Sequence, residues 1–136
     1  MAGFKRKHLS STGKQLLDYF VGALSDQLPQ EKPGKSNVDR PFIIRLALAK
    51  GLSSHRNIEI NDQNTGDKWE IPDIFTPEEY TLYSHIIINQ SKRVLNTDEI
   101  NNEIAIRIEK GLRILDQIQK EKNSLDDLRL AILTMN

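Results

Sequence analysis

The chain has 136 residues, 38 % of them apolar and 28 % charged, which is enough for one domain with a core of its own. It has no cysteine, which excludes disulfides, thiolate metal sites and cysteine nucleophiles. Its 19 basic and 19 acidic side chains cancel, but unevenly: residues 1–56 hold ten basic against four acidic side chains, and residues 57–136 nine against fifteen. Such asymmetry suits an anionic partner for the first part, or attraction between the halves or between subunits.

In chain order, the basic segment FKRKHL (4–9) leads as a short extended stretch to Ser10, Ser11 and Thr12, all good helix caps. The helix that follows carries Leu16, Leu17, Phe20, Val21 and Leu24 at the spacing of one helical face, and Pro29 stops it. Gly13 and Gly22 each weaken that helix and either could mark close packing. A loop with two prolines, PQEKPGKSN (29–37), comes next.

Asp39 caps a second helix with Pro41 in its first turn and Gly51 at its end. That helix, RPFIIRLALAKGL, is apolar almost all round, which predicts burial, in part between subunits. Arg45 sits in its middle. A buried charge needs a partner, so Arg45 is expected to be a structural, buried charge paired with Glu79 or Glu103, with DNA contact as its alternative role.

Between residues 57 and 72, Ile58 and Ile60 alternate with polar residues, as do Trp69 and Ile71, around the turn sequence NDQNTGD. This predicts a small β-hairpin packed on helices. Thr76, Pro77 and Glu79 then start a helix with a capping box, its inner face Tyr80, Tyr83, Ile86 and Ile87. Asn96 to Glu99 start a long helix with Ile100, Ile104, Ile108, Leu112 and Leu115 inward, and Ser124 to Asp127 start a short last one. The expected fold is a single mainly α domain over 1–136: a basic N-terminal extended segment, about five helices and the inserted hairpin.

No apolar run reaches the length of a membrane span, and no secretory signal pattern follows the N-terminus. A cytoplasmic protein is expected. His8, His55 and His85 show no ligand spacing, and His85 reads as a packed helix residue. Glu78-Glu79 and Asp126-Asp127 lie in first helical turns, where acids complement the helix dipole. No phosphate-cradling loop or nucleophile elbow occurs, so no catalytic residue, metal or cofactor is expected.

The basic set is more suggestive. In an extended segment Lys5 and Lys7 share one side and Arg6 faces the other. With Lys14, with amides at the first helix's start, and with Lys32 and Lys35 from the loop, they would form a phosphate-directed DNA surface. The same lysines could equally keep an exposed strand from pairing with other chains. The strand–helix–helix order also resembles ribbon-helix-helix regulators, in which a basic strand reads the major groove within a dimer.

Four segments in order resemble the DndE family of DNA sulfur modification (phosphorothioation) proteins. They are KHLS (7–10), the Arg45-Leu46-Ala47 of RPFIIRLALAKGL, the Phe75, Glu79 and Tyr80 of WEIPDIFTPEEYTLY, and the Lys110, Gly111 and Leu115 of IRIEKGLRIL. The likeness runs from about residue 4 to 118. It implies a small helical homotetramer that binds duplex DNA, nicked duplex included, beside a sulfur-activating subunit and an ATPase. Such a protein is an accessory in replacing a non-bridging phosphate oxygen by sulfur, and not the transferase. Two positions depart from the family pattern: the Pro29 to Asn37 loop is longer, and Glu109 stands where the family has histidine, so no catalytic role carries over there. The competing expectation is a protein–protein adaptor that docks an ATPase or sulfur-transfer enzyme.

Overall fold

The computed structural model describes residues 3–25, 39–56, 58 and 68–122. These form β1 (His8–Leu9), α1 (Ser11–Ser25), α2 (Arg40–Ser53), β2 (Trp69–Glu70), α3 (Pro77–Ser91) and α4 (Thr97–Lys122). The fold is mainly helical with a small antiparallel pair of strands. The expected last helix, from Ser124, lies outside the described residues. None of the described helices is long and apolar enough to cross a membrane.

Each helix starts where its local chemistry says it should. Asp39 caps α2 by accepting the Phe42 N–H at 3.0 Å. Thr76 and Glu79 form a reciprocal capping box on α3, at 3.1 and 2.9 Å. Asn96 and Glu99 do the same for α4, at 2.8 and 3.1 Å. Ser10 caps α1, its Oγ accepting the Gly13 N–H at 3.0 Å.

The 26-residue α4 is the backbone of the domain. All five of its expected inward residues are buried, with Ile104, Ile108, Leu112 and Leu115 fully so. Alpha-2 packs on it more intimately than any other pair of elements. The reason is small residues: a methyl group added at Gly111 would collide with the Ala47 carbonyl, and one added at Gly51 with the Arg107 carbonyl. Backbone therefore meets backbone, and wide areas of Ile43, Ile44 and Leu48 are removed from water. Gly51 accordingly does not end α2, which continues to Ser53 and is capped by Ser54. The requirement at Gly51 is space, not backbone conformation.

The apolar second helix is thus largely buried inside one chain, by α4. Its remaining outer face includes Phe42, which is exposed, and Leu46, which is partly buried.

The strand pair differs from the expected hairpin. Trp69 and Glu70 pair with Leu9 and His8, so β2's partner is the N-terminal segment. Residues 59–67, which would form the first arm's end and the turn, lie outside the described residues, and Ile58 is not in a strand. A short apolar strand takes whatever edge the packed helices present, and local alternation cannot say which. The pairing is within one chain, whereas a ribbon-helix-helix dimer pairs this strand with its counterpart.

The charge buried in α2 is not the one expected. The Arg45 side chain retains 38 % exposure. Lys50 is the residue at 1 % exposure, and burial, followed by the nearby Arg56 charge, pushes its ammonium below the usual lysine range.

Candidate nucleic-acid interface

The N-terminal segment is a strap fastened along α4. Phe4, 1 % exposed, plugs the core edge-on to Phe75, with ring centroids 5.7 Å apart. Asn101 donates to the Gly3 carbonyl at 2.9 Å and accepts the Tyr80 hydroxyl at 2.7 Å. The Ile71 amide donates to the Lys7 carbonyl at 2.8 Å.

At the strap's far end, Glu109 of α4 is 7 % exposed and acts as the main anchor. It accepts the Ser10 amide at 3.0 Å, the Ser10 hydroxyl at 3.1 Å and the Arg113 Nε at 3.1 Å. Gly13 leaves room for it: a Cβ there would stand 2.5 Å from a Glu109 oxygen. This carboxylate occupies the start of α1, where the sequence suggested a phosphate. A built-in anion already fills that role.

Arg6 breaks the extended course. Its φ of 59° lies in the left-handed region, so the expected alternation of Lys5 and Lys7 on one side with Arg6 on the other does not hold. Lys5 and Arg6 are exposed and have no acidic partner among the described residues.

Lys7 and Lys14, by contrast, are neutralised. Lys7 reaches Asp98 at 2.9 Å, and Lys14 pairs with Asp18 one turn along α1. Asp18 also takes Arg40 at 3.1 Å. Burial alone would raise the Asp18 carboxyl, but hydrogen bonds from Lys14 and then Arg40 hold it below its ordinary value. Lys14 and Arg40 both lie over the Trp69 ring, at 5.6 and 5.7 Å from its centroid. These two cations are therefore committed to structure, because helical i,i+4 spacing and the β2 register bring them their partners. Lys32 and Lys35 lie outside the described residues. His85 is exposed on α3 and not packed.

The structure adds a cation that sequence reading missed. Lys68, immediately before β2, lines an open cleft of about 500 Å³ together with Arg6, Lys7 and His8 on one side and Asn102, Ile106 and Glu109 of α4 on the other. The antiparallel pairing of β2 with β1 carries Lys68 toward Ser10 and so along the same cleft that Arg6 lines, and no local signal marks it.

Arg45 meets Glu79, one of the two acids expected for it. Nε and one terminal nitrogen reach the carboxylate at 2.9 and 3.2 Å, and the same terminal nitrogen donates to the Ile74 carbonyl at 2.7 Å. Glu103, the other expected acid, lies nearest Arg107, at 3.9 Å.

Fold and site together define a small helical domain that displays a basic strap over a mixed cleft. No family model, curated protein or solved structure matches the chain.

Proposed function

We propose that this chain is a DNA-binding accessory subunit of a bacterial phosphorothioation complex, held to the duplex chiefly through its phosphates. The observation that supports DNA contact is the set Lys5, Arg6 and Lys68: exposed cations without an acidic partner among the described residues, with Arg6 and Lys68 lining one cleft. Pre-fastening of the strap by Phe4, Asn101 and Glu109 means that little ordering cost falls on binding. The phosphorothioation setting comes from the four-segment DndE resemblance. In that setting the chain needs no cofactor, forms a homotetramer, and works in the cytoplasm beside the sulfur-activating subunit and the ATPase.

The test is anisotropy of a labelled duplex across a salt series, with wild type and a Lys5→Glu/Arg6→Glu variant. Affinity should fall by about 0.9 log units per log unit of salt for each phosphate contacted. The variant should lose most of its binding while melting normally. Salt-insensitive binding, or binding indifferent to the variant, refutes the reading. Light scattering with and without duplex checks the tetramer.

One observation favours a second reading, the adaptor. Phe42 and Leu82 are 39 % and 57 % exposed, each one helical turn from the Arg45–Glu79 bridge. If Phe42→Ser/Leu82→Ser abolishes co-purification with the ATPase while charge reversal at Lys5 and Arg6 leaves DNA retention intact, the adaptor role is the main one.

A further inference from the structure

The cleft under the strap has two kinds of wall. Its strap side is cationic, through Arg6 and Lys68. Its α4 side is not: Ile106 is 49 % exposed, and Asn102, one turn before it, is also exposed. Across from them stands His8, its side chain 42 % exposed. The volume of about 500 Å³ falls in the range of small-ligand pockets.

Contact with an intact duplex backbone would use the cations alone and leave the α4 side without an occupant. A purely apolar partner would leave the cations unused. A nucleotide unit satisfies both, since it joins a phosphate to a flat base with a hydrogen-bonding edge. Imidazole and aliphatic surfaces are suitable platforms for a base face, and an asparagine amide offers one donor group and one acceptor to a base edge. Glu109 at the back does not oppose an anion strongly, because Ser10 and Arg113 already engage its oxygens.

We infer that this cleft receives one unstacked nucleotide of the bound strand, with its phosphate between Arg6 and Lys68, its base between His8 and Ile106, and its edge at Asn102. The inference rests on the DNA-binding reading and specifies what that reading leaves open.

The experiment compares a labelled perfect duplex with the same duplex carrying a single-nucleotide bulge, and adds free deoxyadenosine monophosphate alone. The bulged duplex should bind about tenfold tighter or more, as one stacked base would give. In Ile106→Gln and in Asn102→Leu, both at exposed positions and checked for unchanged melting, the ratio of the two affinities should approach one. Equal, salt-sensitive binding of both duplexes overturns the nucleotide site and leaves DNA binding standing. Binding of neither overturns both readings. A bulge preference that survives in both variants places the preference elsewhere and overturns the assignment to this cleft. Free monophosphate bound as tightly as the bulged duplex makes the cleft a mononucleotide site and overturns the strand assignment.

Discussion

Arg45 and Glu79 join α2 to α3 through a two-pronged contact, 2.9 and 3.2 Å, that the Ile74 carbonyl completes from the loop before α3. Glu79 does double duty, since one of its oxygens also accepts the Thr76 amide as part of the α3 cap. One carboxylate therefore ties helix start to helix neighbour. Arg45→Met should cost about 1–2 kcal/mol in urea unfolding, below fully buried values because solvent reaches the pair. Lys in place of Arg45 should recover only part of it, having no planar fork.

The same contact makes an acid-sensitive clamp. The Arg45 hydrogen bond, then the Thr76 amide, holds the Glu79 carboxyl below the usual glutamate range. A depressed carboxylate stabilises the fold above the unfolded-state value, and that contribution is lost as pH falls through the folded one. Wild type should therefore lose stability below about pH 4 more steeply than Glu79→Gln, as melting temperature against pH would show.

Lys50 gives the alkaline counterpart. Its ammonium is depressed, so the unfolded chain binds more protons over the interval between the lowered value and the ordinary lysine one. Stability should rise with pH across that interval. The difference between wild type and Lys50→Met, followed from neutral to alkaline pH, should show that rise; parallel curves would remove the effect.

Three glycines should respond in opposite senses to alanine. Gly111→Ala and Gly51→Ala push a methyl into α4–α2 backbone contacts and should each cost about 3 kcal/mol, the upper end for overpacking. Gly22 in α1 has nothing within 4 Å of an added Cβ, and Gly22→Ala should stabilise by about 0.5–1 kcal/mol. Chemical denaturation of the three variants decides it.

Arg6 allows charge and backbone to be separated. Because its φ is 59°, Arg6→Gly relieves a left-handed conformation while removing the guanidinium. Melting temperature should hold or rise, while duplex affinity falls and the salt slope decreases by about one phosphate. Glu109→Ala should do the reverse. It removes the carboxylate that Ser10 and Arg113 share, costs about 2–3 kcal/mol, and weakens DNA binding only by loosening the strap.

Helix starts and inner faces were legible because each follows from a spacing of three or four residues or a cap signature; the Arg45 partner, 34 residues away, was legible only as a need, since a charge in an apolar helix requires an acid. The free cations were only half legible. Lys5 and Arg6 stay exposed as their composition suggested, but Lys7 and Lys14 are matched by Asp98 and Asp18. Asp18 is one turn from Lys14 and could have been read from the i,i+4 rule, whereas Asp98 is ninety-one residues from Lys7. Lys68, Asn102 and Ile106 were invisible for the same reason as Asp98.

By itself, the order of residues determined where helices begin and which stripe of each turns inward, since capping and amphipathic periodicity act within a few residues. Tertiary structure decided which strand edge β2 joins, which cation of the apolar helix is buried, and which cations stay unpaired. Those outcomes depend on surfaces that meet only after the helices pack, and electrostatic pairing across such distances has no local signature.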